Sequence, residues 1–333
     1  MRHEAVSWPG SLASVVPHMV MDIDEVASSW KTLVIGQDAA IDRMAPYIVR
    51  AIAGLNSPDR PVAAFFLMGI TGSGKTKTAE ALAHILQGSE KMLIRVNCGE
   101  YQGEHEVAKL SGAPPGYLGY SESQSSTVLN TMSLAAVVPN GPKLPIIIFD
   151  EIEKAHPAMG RILLGVLDKA ELRLGNGQVV DFSKCIIFFT SNCGAQKMQD
   201  AVNKHIGFSN APNGSVSKAA NSAFTQRFPP ELVNRIDEVI VYDTLSPEAI
   251  ERIVELELSK AQRQIGNKFK LSYDDELVKA LGKIGYSPNY GARELKRAIS
   301  RHIMNPLAND YVRGEIPAGS VVVCKAETKR HYL

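Results

Sequence analysis

Gly69-Ile-Thr-Gly-Ser-Gly-Lys-Thr76 sets glycines at both ends of a short turn and closes it with a lysine and a hydroxyl. It follows an apolar run, Val62-Ala-Ala-Phe-Phe-Leu-Met68, and precedes a helical stretch, Thr76 to Leu86. A strand, a glycine-rich loop and a helix in that order form a phosphate-binding P-loop. Backbone N–H groups from Gly69 through Gly74, with Thr71, Gly72 and Ser73 between, can curl around a polyphosphate. The helix N-terminus behind them adds partial positive charge. Lys75 reaches the outer phosphates, and the Thr76 hydroxyl supplies a Mg²⁺ ligand. The reading is a nucleoside triphosphate site for ATP with Mg²⁺, in an α/β fold.

The second half of such a site requires acids at the end of a neighbouring strand. Pro145-Ile-Ile-Ile-Phe-Asp-Glu151 provides them. Asp150 is assigned to the metal and Glu151 to polarising the attacking water. The next apolar run, Cys185 to Thr190, is followed by Ser191 and Asn192. Asn192 could orient the attacking water, or it could be a turn-forming residue ahead of Gly194.

Composition narrows the setting. Net charge is +1 and no apolar run reaches membrane-span length, so neither nucleic acid nor a bilayer is an expected partner. Cys98, Cys185, Cys193 and Cys324 lack metal or disulfide spacing, which fits a reducing, cytoplasmic setting. Residues 1–30 show no steady period and read as an irregular leader. From 31 to 243, strand-like runs (63–68, 92–97, 145–150, 185–190 and 238–242) alternate with helical stretches. This predicts a three-layer α/β domain with a mostly parallel sheet. From 244 to 333 the spacing turns helical. Ile250, Ile253, Val254 and Leu258 form one stripe, Leu277, Ala280 and Leu281 a second, and Leu295, Ile299, Ile303 and Leu307 a third. A small, mainly helical C-terminal domain is expected, with one closing strand at Val321-Val-Val-Cys324.

Five segments, Gly69–Thr76, Asp150–Pro157, Thr190–Asn192, Leu232–Asp237 and Tyr290–Arg293, stand in the order and spacing of the AAA+ ATPases. More narrowly, the chain resembles the second ATPase module of the Clp unfoldases (ClpA, ClpB, ClpC), from about Val34 to Val323. The resemblance implies that Val34 and Ile35, in Val34-Ile-Gly-Gln37, pack on adenine. It implies that Arg235 is an arginine finger serving a neighbouring copy in a homo-oligomer, a hexamer by analogy, and that Arg293 senses nucleotide in cis. Taken alone, Arg235 in Asn-Arg-Ile-Asp would read as a surface ion pair.

The resemblance also bears on work done with ATP. Ser111-Gly-Ala-Pro-Pro-Gly-Tyr-Leu-Gly-Tyr120 crowds glycine and proline around Tyr117. It is similar to the Clp pore loop, whose tyrosine grips unfolded polypeptide. Leu172–Gln178 falls where a second pore loop lies, and its glycines equally suit a β-hairpin turn. Ile206-Gly207-Phe208 resembles the tripeptide that docks ClpA, ClpC and ClpX on the ClpP peptidase. ClpB-like disaggregases lack it there, and the two apolar side chains could equally pack back onto their own domain. The family's tandem proteins carry an N-terminal domain and a first ATPase module. With a single module, substrate choice is expected to rest with the leader, the pore or an adaptor. Ile70 replaces the family's usual proline, and the flanking glycines are expected to preserve the loop. The function expected is an unfoldase ring feeding a ClpP-like peptidase, with a peptidase-independent remodeller or a nucleotide-switched scaffold as alternatives.

Overall fold

The computed structural model describes residues 23–112, 127–139, 143–193, 222, 224–287, 291–326 and 331–332. Tyr117 and Ile206-Gly207-Phe208 lie outside the described residues, and so does Tyr290.

Five parallel strands form the central sheet: β1 (Ala63–Met68), β2 (Ile94–Asn97), β3 (Ile146–Asp150), β6 (Ile186–Ser191) and β7 (Glu238–Val241), in the order β2-β3-β6-β1-β7. Every residue of β1 and β6 is buried, as expected of strands covered on both faces. Alternate side chains feed two cores. Phe65, Leu67, Ile146, Ile148, Ile186 and Phe188 point one way, with Val26, Trp30, Ile41, Met44 and Ile48. Phe66, Met68, Ile147, Phe149, Ile187 and Phe189 point the other, with Leu163, Val166 and Phe224. Layers of helix cover both faces, so the three-layer parallel architecture is as expected.

Three details differ from the sequence expectation. Residues 23–30 of the expected irregular leader belong instead to a helix, Ile23–Leu33. Val26 and Trp30 are fully buried, and the Trp30 indole N–H donates to the Thr78 carbonyl at 3.0 Å. A stripe at Ile23, Val26, Trp30 and Leu33 was present in the sequence, diluted by Ser28 and Ser29, which are weak helix formers. Burial of the indole outweighs that propensity.

Next, the C-terminal part carries a three-stranded sheet, β10-β9-β8, rather than one strand. Here β8 is Lys270–Tyr273, β9 is Val321–Cys324 and β10 is His331–Tyr332. The Lys-Leu-Ser-Tyr run of β8 alternates only weakly, and pairing with β9 decides it. The helices follow the predicted stripes: Pro247–Ile265, Asp275–Gly285 and Leu295–Ile299, the last continuing as Asn305–Val312. Ser246 caps the first by accepting from the Ala249 N–H at 3.2 Å. A π-turn, Ser300–Met304, interrupts the last, where Pro306 cannot donate to the preceding turn. Val254, Leu258, Leu281, Leu295, Leu307 and Val322 share a separate core.

Lastly, Leu172–Gln178 lies within a hairpin of β4 (Glu171–Arg173) and β5 (Val179–Asp181). The hairpin side of the two open readings is therefore the local structure. Its tip is tied by the Gly175 N–H to the Ser111 carbonyl at 2.6 Å, at the base of the segment that carries Tyr117. Among the described residues, no helix is long and apolar enough to cross a membrane.

Candidate nucleotide site

The P-loop leaves the C-terminal end of β1, Asp150 ends β3, and Asn192 follows β6. Parallel register therefore brings all three segments to one edge of the sheet. Ligands of open α/β sheets gather at that edge. Gly74 caps the helix Lys75–Gln87 with φ 105°, a backbone turn that a side chain would strain.

The cleft there has a volume of about 300 Å³. Thr71, Gly72, Ser73, Gly74, Lys75 and Thr76 line it together with Asp150, Glu151 and Asn192. Val34 and Ile35 form an apolar wall with Leu245, Ile253 and Leu256 from the C-terminal part. Arg293 enters from the same part, so the small domain closes the cleft in cis. Glu257 and Lys260, paired at 2.6 Å, also reach it.

Lys75 is buried, and its ammonium donates to the carbonyls of Gly69 and Ile70 at 2.8 Å each and to Asn192 Oδ1 at 3.0 Å. Burial pushes its pKa down to about 8. The nearby Arg293 acts in the same direction, while Glu153, Asp150 and Glu151 oppose it. A polyanion in the cleft would stabilise the charged form further. Asn192 stands between Lys75 and Glu151, with its Nδ2 donating to Glu151 Oε1 at 3.4 Å. Its own backbone N–H donates to Glu153 Oε1 at 3.0 Å. Asn192 is thus part of the site rather than a plain turn residue.

Glu151 adopts a left-handed backbone, φ 57° and ψ 50°, rare for a residue with a side chain. Its carboxylate pairs with Lys154 at 2.5 Å, which raises the lysine's pKa. Thr76 Oγ1 donates to Asp150 Oδ1 at 3.3 Å. A hydroxyl and a carboxylate at this spacing are hard oxygen donors of the kind Mg²⁺ prefers alongside phosphate and water. The buried Ser73 hydroxyl has no partner, an unmet donor within the phosphate cradle. The residues present therefore fit MgATP. Bound Mg²⁺ would neutralise phosphate charge; Thr76 and Asp150 would hold it.

Arg235 is placed elsewhere. It precedes β7, at the end of the sheet where Asp237 exchanges hydrogen bonds with the backbone of Ala64. One strand length, roughly 15–20 Å at about 3.3 Å per residue, separates that edge from the P-loop edge. Arg235 Nε lies 2.7 Å from Asp168 Oδ1 without hydrogen-bond alignment, and both side chains are half-exposed. Such a pair is weak and readily exchanged.

Three contributors were not legible as site residues. The buried amide of Gln37 donates to the Ser73 and Asp243 carbonyls at 3.2 and 3.1 Å, tying the P-loop to the chain that leads into the small domain. Thr190 and Lys154 hold the two acids. All three fall inside segments that carry the family resemblance, which gave none of them a role of its own; for Thr190, a polar residue closing an apolar strand, β-propensity is an equally good explanation.

Gly291 seats the small domain on the P-loop. At φ 56°, a Cβ on it would stand 2.6 Å from the Gly72 carbonyl oxygen and 2.7 Å from that of Thr71. The next residue, Ala292, donates its N–H to the Gly72 carbonyl at 3.3 Å. Gly291→Ala is expected to unseat Arg293 and weaken ATP binding about tenfold or more while the large domain stays folded. Nucleotide titration beside a thermal melt checks this.

Comparison with known proteins agrees with this geometry. Residues 60–239 match the model of an AAA domain (Cdc48 subfamily), and residues 245–324 match the C-terminal, D2-small domain of ClpB protein. The chain is 39% identical over 299 residues to the chaperone protein ClpB of Bdellovibrio bacteriovorus, covering 90% of this chain and 33% of that protein. It is 38% identical to the mitochondrial chaperone protein ClpB4 of Arabidopsis thaliana, covering 87% of this chain and 29% of that one. The chain thus spans about a third of the length of these curated relatives. A closed-state reconstruction of Hsp104 with ATPγS and FITC-casein superposes with TM-score 0.79 at 32% identity, covering 93% of this chain and 52% of that one. The extended S. cerevisiae Hsp104:casein complex gives 0.77, also at 32% identity, covering 90% and 50%. ATP and Mg²⁺ are the cofactors of this family, and the cleft fits both. The chain belongs to the AAA+ ATPases, as an AAA domain of the Cdc48 subfamily closed by a ClpB-type D2-small domain, and is homologous over most of its length to the second ATPase module of ClpB and Hsp104.

Proposed function

We propose that this chain hydrolyses ATP at clefts completed between adjacent copies of a ring, hexameric by analogy, and uses the cycle to remodel protein substrates. The observation that carries this reading is the split site. The P-loop, both acids, Asn192 and Arg293 meet in one cleft, whereas Arg235 stands at the opposite sheet edge, paired with Asp168 and outside that cleft's lining. Phosphoryl transfer spreads negative charge over the γ-oxygens, and a positioned guanidinium stabilises it. Arg293 supplies one in cis, and Arg235 of a second copy supplies another from across the interface. Within the cleft, Lys75 and Arg293 hold phosphate oxygens, Asn192 orients the water, and a Glu151 carboxylate oxygen accepts its proton. Lys154 holds Glu151 Oε2, which leaves Oε1, the oxygen facing Asn192, for that proton.

Tyr117 is the proposed grip on the moving polypeptide, through ring area rather than specific hydrogen bonds. The casein named with Hsp104 supports a protein as the substrate class. Tyr117→Ala should leave basal ATP turnover within about twofold of wild type while reducing unfolding of a tagged substrate at least tenfold. Loss of both activities together, or of neither, would refute the assignment. Coupling to a ClpP-like peptidase rests on Ile206-Gly207-Phe208 alone. The matches to ClpB and Hsp104 lend it no support, so remodelling without a peptidase is preferred. Deleting residues 206–208 and assaying degradation with an added peptidase decides between the two. The nucleotide-switched scaffold leaves the assembled hydrolytic residues without a role.

A further inference from the structure

The two acids of the nucleotide cleft share one buried hydroxyl. Thr190 stands one step beyond the Phe149–Phe189 pair of the β3–β6 ladder, beside Asp150. It is 1% exposed. Its Oγ1 donates to Asp150 Oδ1 at 2.5 Å and accepts the Glu151 backbone N–H at 3.0 Å. The direction of both bonds is forced. An amide N–H can only donate, so the single hydroxyl proton must go to the carboxylate.

From this juxtaposition we propose that Thr190 is a positioning residue for ATP hydrolysis, one hydroxyl setting the Asp150 carboxylate for Mg²⁺ and the Glu151 backbone for water activation. The inference rests on the hydrolytic reading of the cleft and deepens it. Thr190 occupies one side of Oδ1, and the Thr76 hydroxyl contacts the same oxygen from the cleft side. Asp150 is therefore held between a fixed donor behind and a metal-ligating hydroxyl in front. Glu151 sits in a left-handed conformation that side-chain-bearing residues keep only when their surroundings impose it. The N–H bond to Thr190 is one restraint; the Lys154 N–H to the Glu151 carbonyl, 2.9 Å, is the other. The bland alternative is a β-former whose hydroxyl is merely satisfied. Valine has the same shape and β-preference and lacks only the hydroxyl, so it separates the two.

The test titrates a fluorescent ATP analogue onto the full chain, with EDTA and with Mg²⁺, for wild type, Thr190→Val and Thr190→Ser. Turnover and a thermal melt accompany each titration. Loss of a hydrogen bond to a charged group predicts that Thr190→Val loses about ten- to hundredfold of the Mg²⁺-dependent tightening. Its affinity in EDTA should stay within about twofold of wild type, and turnover should fall by at least as much as the tightening. Thr190→Ser should restore both to within about threefold. Unchanged Mg²⁺-dependent tightening in the valine protein overturns the proposal. So does a serine protein as impaired as the valine one, which would assign the effect to the methyl group. Should the valine protein not fold, Thr190→Ala is read against the same limits. Absence of turnover in wild type would sink the hydrolytic reading instead, and the Mg²⁺ titration would still judge Thr190.

Discussion

Arg235→Ala is expected to lower ATP turnover about 10³-fold or more, the usual worth of an arginine finger, with nucleotide affinity nearly unchanged. The affinity should hold because no described contact joins Arg235 to the cleft; its side chain meets Asp168 and its carbonyl accepts from Arg60. The loss should be recoverable by mixing. An Arg235→Ala protein retains Lys75, Glu151 and Asn192 but offers its neighbour no guanidinium. A Glu151→Gln protein offers the guanidinium but lacks the base. Where the cleft of the first meets Arg235 of the second, one complete site forms. Mixed assemblies should therefore turn over ATP faster than either parent. If mixing restores nothing, or the purified alanine protein hydrolyses normally, no cleft is shared between copies.

Glu151→Gln should bind ATP with near-native affinity and hydrolyse it about 10²–10⁴-fold more slowly, the range that a general base contributes. Glutamine preserves side-chain length and does not touch the backbone bond to Thr190, so the cleft keeps its shape. What it loses is the carboxylate that Lys154 now neutralises and that must accept a proton from water. Single-turnover assays should show ATP accumulating on the protein. Electron microscopy of that trapped state with casein would then reveal how many copies meet and whether the polypeptide passes by Tyr117. Wild-type single-turnover rates in the glutamine protein would remove Glu151 from its assigned role.

Much of this site could be read directly because its chemistry is local. The P-loop needs its glycines, Lys75 and Thr76 within eight residues, and Asp150 and Glu151 must follow one strand. Such patterns persist in a linear string. Helix Ile23–Leu33 was missed because two serines blurred its stripe, and its main anchor, the Trp30 bond to Thr78, lies 48 residues away in sequence. Strand β8 was missed for a related reason: its partner β9 lies some fifty residues downstream. Gln37 closes the Val34-Ile-Gly-Gln37 strip, but its bond to Asp243 spans 206 residues, so that role had no local cue.

From the order of its residues alone came the nucleotide, the metal, the acid pair and a doubly covered parallel sheet, since each depends on spacing within one strand–loop–helix segment. Folding in three dimensions settled where those pieces stand relative to one another. Parallel pairing carries the ends of β1, β3 and β6 to one edge and sends Arg235 to the other, and Gly291 lets the small domain press on the P-loop backbone. Spacing along a chain records which groups follow which strand. Only the packed sheet determines which of them lie within a hydrogen bond's reach and which stand a full strand apart.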